Sequence, residues 1–442
     1  MSETRLAAPE VATDAPTGAA SERRPRWRNV LAFLGPGLIT GAADDDPSGI
    51  ATYSQIGAQF GYGLNWTMLF SYPLMAAIQE ISARIGRVTG KGIAGNMREH
   101  YPAWLLHAIV LLLLVANIIN IGADLGAMGD GLALVIGGSV HLYVVLFALL
   151  CAGLEIFVRY QRYVAFLKWA TLSLFAYVAT VLFAGVPWRQ VAYSTLVPSI
   201  AWDRDSLVAI VAILGTTISP YLFFWQASEE AEDERVDAAA EPLIVAPEQA
   251  PIQLRRIRLD TYFGMGLSNL ISLFIMITAA ATLHAHGVVS VKGSAEAAEA
   301  LRPFAGDAAF FVFAAGIIGT GMLAIPVLAG SAAYAVAEAL RWPSGLGRRA
   351  LEARAFYASL GAATLIGTAI NFVSIDPIQA LFWTAVINGV VAVPLMIIMM
   401  LMTARPQIMG PFTLPRPLWV MGWLSTAAMA FTVAMMFATW PS

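Results

Sequence analysis

Charge is scarce in this chain. Asp, Glu, Lys and Arg together make up 12% of 442 residues, while 58% are hydrophobic and mean hydropathy is +0.69. A soluble domain carries about twice that charge, so the composition is that of a polytopic helical membrane protein. Cysteine is nearly absent. Cys151 alone excludes an intramolecular disulfide and a cysteine-rich metal cluster. The five histidines, His100, His107, His141, His284 and His286, sit at the ends of apolar runs or between them. The closest pair is two residues apart and does not share a helix face, so no metal role falls to them. No nucleophile–base or metal–histidine spacing of a hydrolase appears, and an enzyme is not expected. A net charge of −3 without a basic aromatic groove gives no reason to expect nucleic acid. The polar N-terminus, Met1–Glu22, lacks the apolar core of a cleavable signal; residues 1–28 are expected to be a disordered cytoplasmic tail.

Apolar runs of membrane-crossing length fill the rest. The first extends from about Val30 to Phe60. The others are Leu64–Ile85, Trp104–Met128, Leu142–Val158, Tyr163–Phe183, Leu207–Ala227, Asp260–Leu283, Ala308–Leu340, Phe356–Phe372, Pro377–Met402 and Pro417–Phe437, which makes eleven spans. The eighth is long for one crossing, so it tilts or projects into the cytoplasm. With the N-terminus inside, Lys and Arg gather on the cytoplasmic side. Only Arg189, Arg204, Lys292 and Arg302, four of 26, remain outside, an asymmetry that orients the chain in a bacterial-type inner membrane. This topology places residues 229–258 in an acidic cytoplasmic loop that is either simply solvated or gathers exiting cations.

Two spans are interrupted. In the first, Gly41-Ala42-Ala43-Asp44-Asp45-Asp46-Pro47-Ser48-Gly49 sets three carboxylates at membrane depth. One carboxylate at the bilayer centre costs about 2.5–3.5 kcal/mol, so three must face protein, water or a cation. A solvated loop between two short helices would also hold them, but the flanking apolar stretches suffice for one span and not two. A helix broken at this depth lines a cavity, and carboxylates with freed carbonyls make an oxygen-rich cation site. In the sixth span, Gly215-Thr216-Thr217-Ile218-Ser219-Pro220-Tyr221 repeats the theme: Pro220 leaves carbonyls near Thr216 without their amide donor. Alone, this would read as a proline kink with Thr and Ser back-bonding. Yet Gly41 and Gly215, 174 residues apart, mark breaks at matching places in two five-span halves, residues 29–185 and 186–402, followed by an eleventh helix in 403–442. Five spans per half invert the second repeat, and paired broken helices point to a transporter site.

Around the first break the chain resembles the NRAMP family of divalent-metal transporters. The resemblance rests on Gly35-Pro36-Gly37, Asp46-Pro47-Ser48-Gly49, the run from Ser82 to Lys91, Arg98-Glu99-His100-Tyr101-Pro102 and Ala123-Asp124-Leu125. It implies a LeuT-type 5+5 inverted repeat with an eleventh transmembrane helix and a midplane metal site between the first and sixth spans. At the family's ligand positions stand Asp46, Gly49, the Thr216 carbonyl and Ser219. Gly49 replaces the family's Asn; Ser219-Pro220-Tyr221 replaces its Met-Pro-His; Ala127 stands where a Glu is usual. This pattern is similar to the NRAMP-related magnesium transporters.

The departures have a chemical direction. A thioether favours softer ions such as Mn²⁺ and Cd²⁺, whereas hydroxyl and carboxylate oxygens suit Mg²⁺. Loss of the Asn is expected to leave room for a metal-bound water beside Gly49. The cargo expected is therefore Mg²⁺, with Mn²⁺ also accepted, as a transported substrate and not a cofactor. Asp124 corresponds to the family's proton-path residue, but with Tyr221 and Ala127 it lacks titrating partners, so proton coupling is expected to be weak. Asp44 and Asp45 are either outer acceptors for metal waters or helix-end caps. Gln79 and Glu80 line the inward path, or Glu80 simply pairs with Arg84; Thr217 and Tyr221 stand beside the site. A proton-coupled Mn²⁺/Fe²⁺ transporter and a cation-coupled amino-acid carrier of the same fold are the competing readings. Beyond divalent ions and the lipid bilayer, no protein partner is evident.

Overall fold

The computed structural model describes residues 40–41, 43–158, 170–236, 239–373 and 376–439. The expected tail, Gly35-Pro36-Gly37 with the first half of the first span, and the start of the fifth span lie outside the described residues.

Every regular element among the described residues is helical. Beyond the first break come α1 (Pro47–Phe60), α2 (Trp66–Thr89), the short α3 (Ile93–His100), α4 (Ala103–Ile136) and α5 (Val140–Phe157). Then follow α6 (Phe175–Phe183), α7 (Trp188–Leu196), α8 (Arg204–Thr217), α9 (Pro220–Val236) and α10 (Ala250–Thr282). The last four long helices are α11 (Ala309–Leu340), α12 (Arg354–Ile370), α13 (Pro377–Thr403) and α14 (Arg416–Ala438). Among the described residues seven helices, with α8 and α9 taken as one, are long and apolar enough to cross a membrane. The protein is an integral membrane protein. The eighth span is one helix of 32 residues with Pro326 inside it. At 1.5 Å per residue it reaches about 48 Å, well beyond a hydrocarbon core of about 30 Å.

The apolar window of the broken α8–α9 unit is wholly buried. In lipid, helices associate by close packing of small residues more than by hydrophobicity, and two glycines set the pattern. A Cβ on Gly41, in the first broken span, would stand 2.4 Å from the Gly264 carbonyl oxygen of α10. A Cβ on Gly86 of α2 would stand 2.1 Å from the Ala227 carbonyl oxygen of α9. Each broken span thus presses its backbone against the helix that follows the other break, as an inverted repeat requires.

The expected acidic loop is corrected. Glu229–Val236 continues α9, and α10 has begun by Ala250. Glu and Ala are strong helix formers and no Gly or Pro intervenes before Pro242, so the helix runs on despite its charge. Its acids are tied down. Glu230 pairs with Arg256, Glu234 lies 3.3 Å from Arg87, and Glu232 accepts from the Tyr334 hydroxyl and the Leu346 and Gly347 amides. Glu338 of α11 caps α3 by accepting from Gly92 N and Gly95 N at 3.1 and 2.9 Å.

Candidate metal site

Pro47 opens α1 at a position where a missing N–H costs nothing, and Asp46 just before it is the N-cap. Its Oδ1 accepts from Gly49 N at 2.7 Å. Asp46 is therefore the cap of the second half-helix, a role left open above for Asp44 and Asp45. The other oxygen, Oδ2, accepts from the Tyr221 hydroxyl at 3.2 Å, and that hydroxyl also lies 3.1 Å from the Ala43 carbonyl oxygen. Tyr221 is the second residue of α9, so one phenol ties both breaks together.

The break between α8 and α9 is satisfied from within. Ser219 Oγ donates to Thr216 O at 2.6 Å and lies 3.0 Å from Gly215 O. The carbonyl that Pro220 frees is thus not an orphan as expected, because a buried C=O draws in the nearest hydroxyl. The Ser219 hydrogen is spent on this bond and its lone pairs remain. Thr217 Oγ1 back-bonds to Ile213 O at 3.0 Å and takes no part in the break. The buried Thr216 Oγ1 has no hydrogen-bond partner among the described residues.

Gly49 is closely packed. A Cβ there would meet Thr216 Cγ2 at 3.3 Å, and Asp44 O and the Tyr53 ring at 3.4 Å. The Thr216 methyl and the Tyr53 ring thus pack over the bare backbone.

Asp44 and Asp45 turn away from the second break. Ser268 Oγ of α10 stands 2.7 Å from Asp44 Oδ2 and 3.1 Å from Asp45 Oδ1, with Ser272 Oγ 3.4 Å from the same Asp45 oxygen. Asp44 Oδ1 has no partner among the described residues. On the other flank, the Asn120 side chain of α4 faces Asp46. Asp124, one turn further, is fully buried with neither oxygen hydrogen-bonded among the described residues. Asp44, Asp45 and Asp46 are at most 4% exposed, and among the described residues none of them takes part in an ion pair. Buried anions in such surroundings demand protons or a cation. Among the described residues no three His, Cys, Asp or Glu side chains converge on a metal, so the donor set on offer at the breaks is one carboxylate with neutral oxygens.

Sequence reasoning did not name Asn120, Tyr53, Ser268 or Ser272. The signal was available for three of them. Asn117, Asn120 and Asp124 lie on one face of an apolar helix, and Ser268 and Ser272 are one turn apart on another.

Side-chain hydrogen bonds tie α2 to α9 and α9 to α10. Gln79 Nε2 donates to Leu222 O at 3.0 Å and Gln226 Oε1 at 2.5 Å, Ser82 Oγ donates to Phe223 O, and Gln226 Nε2 donates to Thr261 Oγ1 at 3.1 Å. Glu80 pairs with Arg84 at 2.7 Å and sits 3.6 Å from Arg258. Glu80 forms the ion pair weighed for it, and Gln79 bonds to Leu222 and Gln226 of α9. A cavity of about 170 Å³ is lined by Gln55, Gln59, Ser290, Gln379 and Trp383.

Proteins named divalent metal cation transporter MntH are similar along most of this chain. The one from Granulibacter bethesdensis is 26% identical over 422 residues, 92% of this chain and 88% of the relative. The one from Burkholderia ambifaria is 26% identical over 461 residues, 96% and 95%. Among solved structures, the Eremococcus coleocola manganese transporter in complex with an aromatic bis-isothiourea substituted compound superposes with a TM-score of 0.71 at 19% identity, covering 97% of this chain and 91% of that one. MhsT in complex with L-phenylalanine superposes with a TM-score of 0.56 at 12% identity, covering 91% and 98%. At these identities the two structures speak to the fold alone, which is LeuT-like. The Nramp profile, natural resistance-associated macrophage protein-like, matches residues 37–439, and the chain belongs to the Nramp family.

Proposed function

We propose that the chain carries divalent metal ions across the bacterial inner membrane by alternating access, with Mg²⁺ as its main cargo, Mn²⁺ also accepted, and little proton coupling. The observation that carries this reading is the meeting of the two breaks around Asp46, whose carboxylate lies beside the neutral oxygens of Tyr221 and Ala43, with Ser219 offering a hydroxyl at the second break. In this reading Asp46 holds the ion with the Thr216 carbonyl and Ser219 Oγ, while Gly49 contributes only backbone. Mg²⁺ dehydrates reluctantly and keeps waters beside one or two carboxylates. Asp44 and Asp45, turned to α10, add negative potential without touching the ion. Calorimetric titration of Mg²⁺ and Mn²⁺ into the purified protein tests it. Binding of both ions, lost in Asp46→Ala, is expected; unchanged binding in that variant would refute the site.

A proton-coupled Mn²⁺/Fe²⁺ carrier is the second reading. The name of the curated relatives favours divalent metal transport in general, and the unpartnered carboxylate of Asp124 gives coupling a titratable group. An amino-acid carrier is disfavoured, because three buried acids would repel a substrate carboxylate.

A further inference from the structure

A groove at the cytoplasmic end of the bundle lies apart from the two breaks. Arg84 of α2, Arg255 and Arg258 of α10, Pro251, and Phe412 and Pro415 from the segment leading into α14 enclose about 570 Å³. Three guanidinium groups line it, and two of them share one acid. Glu80 takes Arg84 through Nε at 3.0 Å and Nη2 at 2.7 Å and lies 3.6 Å from Arg258, whose side chain is 61% exposed. Arg256, between the other two in sequence, turns instead to Glu230. The groove therefore keeps positive charge in excess, with planar donors that suit a phosphodiester.

Its surroundings are apolar on the lipid side. α10 exposes Leu259 and Phe263, and α14 exposes Trp419 and Val420. One residue beyond Pro415, a hollow of about 510 Å³ is walled by Pro417, Trp419, Val420 and Met421, with Arg416 at its edge. A cationic groove with exposed apolar side chains on the neighbouring helices matches a molecule with an anionic head and hydrocarbon tails, and the cytoplasmic leaflet is where anionic lipids meet basic side chains. We propose that this groove holds the headgroup of an anionic phospholipid, with its acyl chains lying in the hollow and along α10 and α14. The lipid would bridge α2, α10 and the approach to α14.

The test uses the full chain purified in detergent, with phosphatidylglycerol, phosphatidylcholine and inorganic phosphate as probes, read by native mass spectrometry and by thermal unfolding. Phosphatidylglycerol is expected to be retained and to raise the melting temperature, and the other two are not. Arg255→Gln/Arg258→Gln removes two exposed charges without breaking the Glu80–Arg84 pair. It is expected to weaken retention by about tenfold or more, while Arg348→Gln/Arg349→Gln on another cytoplasmic segment does not. Melting without lipid checks that each variant is folded. Equal retention of both lipids, full retention by the groove variant, or a full shift with inorganic phosphate alone would overturn the proposal.

Discussion

Asp46 caps a helix and, in the proposed function, receives an ion with the same carboxylate. Asp46→Asn preserves the cap through its side-chain oxygen but removes the charge, so it is expected to fold like the parent and yet bind Mg²⁺ at least about tenfold more weakly by calorimetry. Tyr221→Phe takes the donor from Asp46 Oδ2 and the Ala43 carbonyl. Leaving such buried acceptors unpaired costs about 1–3 kcal/mol. A lower melting temperature in the absence of metal is expected, with most of the loss recovered at saturating Mg²⁺, since a bound cation replaces the missing partner. Selectivity tests positions 49 and 219 together. Gly49→Asn with Ser219→Met should raise preference for Mn²⁺ or Cd²⁺ over Mg²⁺ in competitive uptake, and unchanged preference would count against hard-oxygen selection. Because an added Cβ at 49 already meets Thr216 at 3.3 Å, some loss of thermal stability should accompany the change.

Elements succeed or fail here by how closely their backbones approach. Gly86→Val would force a branched side chain into the Ala227 carbonyl of α9; overpacking of this kind costs about 1–3 kcal/mol or more, so little folded protein should be recovered on size-exclusion chromatography. Gln79→Ala instead loosens a contact between α2 and α9 without a clash. A cysteine placed at Ala227 should then react with a membrane-impermeant maleimide several-fold faster from the cytoplasmic face. Much of this architecture was legible in the chain, because a carboxylate or proline inside an apolar run is conspicuous at single-residue resolution. Both breaks and the helical character of the chain were read that way. What escaped depended on tertiary neighbours. The α9 extension hid behind its charges, whose partners Arg87, Arg256 and Tyr334 lie far off in sequence. The Ser268 and Ser272 hydroxyls became visible only once α10 packed against the first break. The closing of Gly49 by Thr216 is a contact that no local pattern encodes.

On the scale of the whole molecule, the proposal separates metal movement from proton movement. In proteoliposomes, an inward metal gradient should drive uptake with little acidification of the lumen; robust acidification would favour the second reading. The lack of an imidazole beside Asp46 carries one more consequence. A dication that crosses with no counter-moving proton transfers two elementary charges per cycle, so the carrier should pass a current. A membrane potential contributes about 2.3 kcal/mol per charge per 100 mV, or about 4.6 kcal/mol for each such ion. Voltage alone would then sustain an accumulation upwards of about a thousandfold, and collapsing it with an ionophore should abolish accumulation against the metal gradient even when the pH is equal on both sides.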